Sequence, residues 1–254
     1  MERFDGRRVL ITGAGSGIGQ ATVHRVLAEG GRVVAADISE TGLKATAGRA
    51  AADGHGDRLS TAVLDIADEA AVRAGVAAAV EALGGLDVLV NAAGILRASH
   101  THETTLDAFE RIIAVNLTGT FLMIREALPA LLEGRAPVVV NFSSTSAAFA
   151  HPYMAAYAAS KGGIQSMTHA IASEYAKQGL RAVCVAPGSV RSGMTADPGL
   201  PADADMSLFG KLLPAIGEGF APPETVAGVI AMLASEDGAF ITGTEIRIDG
   251  GTHM

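Results

Sequence analysis

Ile11-Thr12-Gly13-Ala14-Gly15-Ser16-Gly17-Ile18-Gly19 sets glycine at every second position from 13 to 19, across the first strand–helix junction. It joins a short apolar run, Arg8 to Thr12, to a segment with a helical pattern, Gly17 to Glu29. Glycines at such a junction permit a tight turn, close approach of the backbone to a pyrophosphate, and dense packing of helix on strand. The helix that follows directs its first amide groups at an anion. A glycine-rich turn by itself carries little weight, but this one opens the first strand–helix–strand unit, where a dinucleotide site belongs. Gly13, Ser16, Gly17, Ile18 and Gly19 are therefore the expected phosphate cradle. No Gly-Lys-Ser/Thr follows, so a triphosphate loop is not expected.

Working outward, short apolar runs alternate with longer helical segments. Strands are expected at Arg32–Asp37, Leu59–Leu64, Leu86–Asn91, Pro137–Phe142, Arg181–Ala186 and Glu245–Ile248. Helices are expected at Thr41–Ala52, Glu69–Leu83, about Thr104–Glu133, Tyr153–Lys177 and Pro223–Leu233. Runs such as VVVNF and LDVLVN are apolar on both faces, which places them in a sheet covered on both sides. Strand–helix repetition with short connections implies parallel strands and right-handed crossovers. The expectation is one α/β domain over residues 1–254, a doubly wound parallel sheet of about seven strands (a Rossmann fold). Residues 191–221, rich in Gly, Pro, Met and Leu, break the rhythm and read as a mobile substrate lid.

Composition narrows the class without naming it. Hydrophobic residues make up 49% of the 254 and charged residues 18%, as in a compact enzyme with a sizeable core. The net charge of −8 speaks against nucleic acid, since phosphate binding concentrates Lys and Arg. No unbroken apolar run reaches the roughly 18 residues of a membrane span. The single cysteine, Cys184, sits between valines and reads as a small buried hydrophobe, consistent with a reducing cytoplasm. No metal is expected: His100-Thr101-His102-Glu103 lacks an accompanying ligand cluster and reads as a solvated loop.

Asp37 ends the second strand, 18 residues after Gly19. A carboxylate there accepts hydrogen bonds from both adenosine ribose hydroxyls and repels a 2′-phosphate. Ile38 and Ser39 follow it, with no Arg or Lys, so NAD is expected over NADP. Tyr157 and Lys161 lie four apart on one helix face. A tyrosine at its ordinary pKa near ~10 is a poor base, and a neighbouring ammonium favours the phenolate. Ser144 ends the fifth strand, thirteen residues before Tyr157, where a doubly wound sheet binds its ligands.

With these residues in view, the chain resembles the short-chain dehydrogenase/reductase family over nearly its whole length. The resemblance rests on TGAGSGIG at 12–19, Asp65-Ile66, NAAG at 91–94, Asn116 in VNLTG, Ser144, YAASK at 157–161, Pro187-Gly188 and the closing ITGTEIRIDGG at 241–251. It implies that Tyr157 is the general acid/base, Ser144 orients the substrate oxygen, and Lys161 tunes Tyr157 and holds the nicotinamide ribose. It further implies that Asn116 holds a water linking Lys161 to solvent. Asp65 and Ile66 would meet adenine, Asn91 and Gly94 would line the cleft, and Val190 and Ser192 would meet the carboxamide after Pro187-Gly188. Ser146, His151, Tyr153 and Met194 are candidate substrate-pocket residues.

The expected function is hydride transfer between NAD and a secondary alcohol or ketone. A 3-oxoacyl thioester reductase is the alternative, and a non-catalytic dinucleotide-binding protein would be expected to lose Tyr157, Lys161 or Ser144. The surplus of apolar residues on the helix before Ser144, with Ala and Gly around Tyr157, adds the expectation of a homotetramer.

Overall fold

The computed structural model describes residues 2–217 and 219–254. Seven strands form one all-parallel sheet: β1 (Arg8–Thr12), β2 (Arg32–Asp37), β3 (Leu59–Val63), β4 (Val88–Asn91), β5 (Val138–Phe142), β6 (Arg181–Pro187) and β7 (Glu245–Ile248). Their order across the sheet is β3-β2-β1-β4-β5-β6-β7. The order reverses between β1 and β4, and in open α/β sheets ligands bind outside the strand ends at such a switch point.

Alternation along each strand sends side chains to opposite faces, and both faces are covered. Val9 and Ile11 of β1 join a core with α1 (Gly17–Ala28) and α8 (Pro223–Ala234), into which Leu43 of α2 (Glu40–Ala52) also packs. Leu10 joins a second core under α3 (Glu69–Leu83), α5 (Gly119–Leu132) and α6 (Ala155–Tyr175). The strands inside the sheet, such as β4 and β5, are buried at every residue, whereas β3 at the edge is partly or fully exposed throughout. The sheet and its two covering layers are those expected from the run pattern.

Boundaries shift by more than one residue in three of the expected elements. β4 runs from Val88, although the Asp87 amide still donates to the Arg8 carbonyl at 2.9 Å and its carbonyl accepts the Val138 amide at 3.0 Å, while its side chain is held by Arg8 and by the Arg135 amide. The helix carrying Tyr157 begins at Ala155, since Tyr153 has φ +65° and sits in the left-handed region. The long helical segment divides into α4 (Leu106–Ile113), a π turn (Ala114–Thr118) and α5. Leu106–Leu132 is long and apolar enough to cross a membrane, its best 18-residue stretch having a mean hydropathy of 1.2, and 50% of that stretch is buried in this fold. It packs as a core helix on the sheet.

Residues 191–221 carry the short α7 (Gly193–Ala196) and a 3₁₀ turn at Met206–Leu212. They are tethered at both ends. Ala98 donates to the Pro198 carbonyl at 2.8 Å, and the Asp205 amide donates to the Tyr153 hydroxyl at 2.8 Å. The amides of Ala215 and Ile216 both donate to the Gly250 carbonyl, at 2.8 and 3.0 Å.

Candidate active site

The glycine-rich turn leaves no space for a Cβ at Gly13 or Gly19. A Cβ on Gly13 would stand 2.6 Å from the Ala93 nitrogen, and one on Gly19 only 2.1 Å from the Gly13 carbonyl oxygen. Gly13 and Gly17 also have φ of +67° and +53°, which an L side chain resists. The turn is backed from behind: the Thr46 hydroxyl donates to the Ala14 carbonyl at 2.8 Å. Asp37 pins it from the side. Its Oδ2 accepts the Gly15 amide at 2.8 Å and its Oδ1 accepts the Ser39 amide at 2.8 Å.

A cavity of about 310 Å³ runs from this turn along the C-terminal strand ends. Gly13, Ser16, Gly17, Ile18, Gly19 and Asp37 line one end, with Asp65 and Ile66 beside them. Gly94, Ser144, Tyr157 and Lys161 line the other, with Pro187, Gly188, Val190, Ser192 and Met194 across from them. An extended dinucleotide fits this shape: glycine cradle and helix N-terminus for pyrophosphate, carboxylate at the ribose end, reactive side chains at the far end. Arg111 of α4 and Thr195 of α7 also line the cleft, and the sequence reading did not single them out. Arg111 reaches within 3.8 Å of Asp65. Thr195 forms a reciprocal cap with Ser192, which a Ser-x-x-Thr spacing could have signalled.

Five expected site residues, Asn91, Asn116, Ser146, His151 and Tyr153, do not line the cavity. Asn91 is buried at 3% exposure, and its Nδ2 donates to Asn141 Oδ1 at 2.9 Å on the neighbouring strand. Asn141 in turn donates to the Thr168 hydroxyl at 2.9 Å, so this polar chain ties β4 through β5 to α6. Asn116 is wholly buried in the π turn, a geometry common at functional sites. Its Oδ1 accepts the Ile95 amide at 2.8 Å, and its Nδ2 donates to the Ile95 carbonyl at 2.9 Å and the Ser160 hydroxyl at 3.0 Å. It clamps the strand end at Gly94 to α6. A Cβ on Gly94 would lie 3.2 Å from Asn116 Oδ1 and 3.5 Å from Lys161 Nζ, so both groups converge on that glycine.

Tyr157 and Lys161 share a face of α6, as their spacing requires. Lys161 Nζ donates to the Phe142 carbonyl at 2.9 Å and stands 5.6 Å from the centre of the Tyr157 ring. Burial draws Lys161 down to about 8, partly offset by the nearby Cys184 thiol, while burial pushes Tyr157 up to about 12. The Ser144 hydroxyl works against that rise by hydrogen bonding. The group can exchange a proton at Tyr157 beside a hydroxyl that holds an oxygen, next to a fixed cation.

Ser146 is buried at 4% exposure directly after this strand end, and the His151 Nε2 lies 3.1 Å from the Thr145 hydroxyl. Tyr153 packs edge-on to His100 at 5.2 Å and stacks on Phe209 at 6.1 Å. His100 faces Asp203 at 3.0 Å, which raises its pKa by hydrogen bonding. Among the described residues, no three His, Cys, Asp or Glu side chains gather as a metal site.

Comparison with known proteins identifies the family and agrees with the fold. A family model described as short chain dehydrogenase matches residues 7–200. A 2-(S)-hydroxypropyl-CoM dehydrogenase of Xanthobacter autotrophicus is 34% identical over 98% of this chain and 97% of its own. A 3-oxoacyl-[acyl-carrier-protein] reductase of Thermotoga maritima is 36% identical over 98% of both chains. Among solved structures, a Burkholderia cenocepacia short chain dehydrogenase in complex with NADP superposes with a TM-score of 0.87 at 31% identity, covering 99% of this chain and 100% of that one. A Mycobacterium paratuberculosis short chain dehydrogenase bound to NAD gives 0.89 at 28% identity, covering 98% of each.

Proposed function

The chain belongs to the short-chain dehydrogenase family and is an NAD(P)-binding oxidoreductase of alcohols; from that premise we propose that it moves hydride between NAD and a secondary alcohol or its ketone, using Ser144, Tyr157, Lys161 and Asn116. One observation carries the reading: a single cleft has Asp37 at one end and Ser144, Tyr157 and Lys161 at the other.

Bound NAD supplies the hydride acceptor. The protein's own part is position and proton handling. Ser144 holds the substrate oxygen, and Tyr157 takes the alcohol proton at its Oη during oxidation or returns it during reduction. A phenol pushed up to about 12 stays protonated at neutral pH, so the Ser144 hydroxyl, which lowers that value, and the Lys161 charge 5.6 Å from the ring centre are what favour its phenolate. Lys161, drawn to about 8, is still mostly an ammonium at pH 7. Asn116 keeps Gly94 and α6 in register beside Lys161 and holds the water through which the proton reaches solvent.

Asp37 supports NAD over NADP, because its carboxylate faces the ribose end with no Arg or Lys directly following it. It also favours alcohol oxidation over a biosynthetic thioester reduction, and a net charge of −8 offers little to an acidic carrier protein. A homotetramer completes the proposal. Leu106 and Phe121 are 68% and 45% exposed on α4 and α5, an apolar surface suited to a second subunit. Gly163 is accounted for within the chain, since a Cβ there would strike Leu117 at 2.8 Å.

Tyr157→Phe tests the mechanism. It keeps the ring and removes the titrating hydroxyl, so NADH production from alcohols should fall by roughly 10²–10⁴-fold while NAD binding persists. Near-normal turnover in this variant would refute the assignment.

A further inference from the structure

Residues 191–221 line the cleft at Ser192, Gly193, Met194 and Thr195 and then run out to two posts beside it. One post is the loop between β4 and α4. Its Ala98 amide holds the Pro198 carbonyl, and a Cβ on Gly199 would lie 2.6 Å from Arg97 Cζ, so that guanidinium rests on the lid backbone. His100 Nε2 meets Asp203 Oδ1 at 3.0 Å. The other post is Tyr153. Its ring stands edge-on to His100 and stacks on Phe209, while its hydroxyl accepts the Asp205 amide. The Ser99 amide donates to the Tyr153 carbonyl at 2.9 Å and ties the posts together. Tyr153 has φ +65°, which a bulky residue keeps only where its surroundings impose it, and such strain gathers at clamps and switches.

We propose that His100 and Tyr153 are positioning residues that latch the lid beside the reactive end of the cleft, and that the proton on His100 sets how firmly the latch holds. Tyr153 lies four residues before Tyr157 and Ala98 four after Gly94, so both posts continue from chain that lines the cleft. The groups facing His100 are Asp203 from the lid, His102 and Glu103 from its own turn, and Tyr153 from the segment before α6. Asp205 spends its carboxylate on the Ser207 amide at 2.9 Å. The Asp203 hydrogen bond, against a smaller effect of burial, raises the His100 pKa. The latched state therefore holds the proton more tightly than the open one. By linkage the latch is complete below the ordinary histidine pKa and is lost as pH rises through the higher latched value. Asp203, whose pKa the same contact lowers, stays ionised across that range. That the lid encloses an alcohol rests on the dehydrogenase reading above.

Amide hydrogen exchange on the full chain reads the latch without turnover. Protection of residues 203–209, corrected for the intrinsic exchange rate, should fall about two- to fivefold from about pH 6 to about pH 9, as for the loss of an exposed ion pair. His100→Gln should remove that pH step. Asp203→Asn, at a side chain 80% exposed, should remove it too and does not threaten the fold. Tyr153→Phe keeps the ring stacking and loses the acceptor for the Asp205 amide. Protection should then drop about two- to tenfold at every pH while the step remains. A step that survives both His100→Gln and Asp203→Asn belongs to other groups and overturns the inference. So does protection that is flat with pH in the unmutated chain. A latch that behaves as described in a protein that oxidises no alcohol supports the inference while the proposed reaction fails. Turnover in a protein whose lid ignores pH and both substitutions leaves the reaction standing and overturns the latch.

Discussion

Replacing Asp37 by Ala should reverse much of the expected cofactor selectivity, and the structure lets the size be worked out. Each carboxylate oxygen already receives one amide, from Gly15 and from Ser39, and each keeps a lone pair for the cleft. Hydrogen bonds to a charged group are worth about 1.5–3 kcal/mol, so losing the ribose acceptor should weaken NAD by that much. Repulsion of a 2′-phosphate adds about 1 kcal/mol per unit charge at ~4 Å in water and about 4 kcal/mol at an effective dielectric constant of ~20. Asp37 is half-buried at the cleft mouth, so the lower end applies. The two effects together shift the NADP-to-NAD affinity ratio by about 3–4 kcal/mol, roughly 10²- to 10³-fold. The substitution also releases the Gly15 amide, which weakens both cofactors alike. That loss is small because α2 still backs the turn: a Cβ on Gly42 would lie 2.7 Å from the Gly15 carbonyl oxygen. NADH should therefore lose more than NADPH gains. Fluorescence titration of both reduced cofactors, with Asp37→Asn as the shape-preserving control, measures this directly. Comparable affinities in the unmutated protein, or a ratio unmoved by Asp37→Ala, would refute the reasoning.

Further outcomes follow from the same geometry. Oxidation needs the Tyr157 phenolate, so its kcat/KM should rise with pH and that of reduction should fall. Because the Ser144 hydroxyl lowers the Tyr157 pKa, Ser144→Ala should move the ascending limb to higher pH; a limb that stays or moves lower counts against Ser144's part in tuning. Asp87 is 1% exposed and joins Arg8 of β1 to the Arg135 amide, so Asp87→Ala should lower stability to urea by about 3 kcal/mol. Hydrogen bonds from Arg8 and Arg135 outweigh burial and depress the Asp87 pKa. Its contribution is thus complete above the ordinary carboxylate pKa and is lost as pH falls through the lower folded value, which denaturation at pH 7 and pH 3 will show. Light scattering should return about four times the 25.7 kDa chain mass, and a clean monomer at micromolar concentration would defeat the tetramer.

The sheet, its parallel sense, its two covering layers and the residues expected at the cleft's two ends were all legible along the chain. Those features depend on local periodicity and on residues whose chemistry is fixed by type: glycines that exclude a Cβ, a carboxylate at a strand end, a tyrosine and lysine one helical turn apart. Near neighbours in the chain carry each of these signals, so a linear reading reaches them. Contacts between distant segments were not legible in this way. Nothing local distinguishes an Asn91 that lines a cleft from one that joins Asn141 and Thr168 into a buried tie beneath α6. The π turn at Asn116 likewise takes its role from Ile95 and Ser160, residues 21 and 44 positions away. The same holds for His253, which meets Phe149 and His151 across about a hundred residues of chain. Hydrogen-bond pairing of buried polar groups is a property of the packed molecule, because the partner that satisfies each group is chosen by the fold and not by the neighbouring sequence.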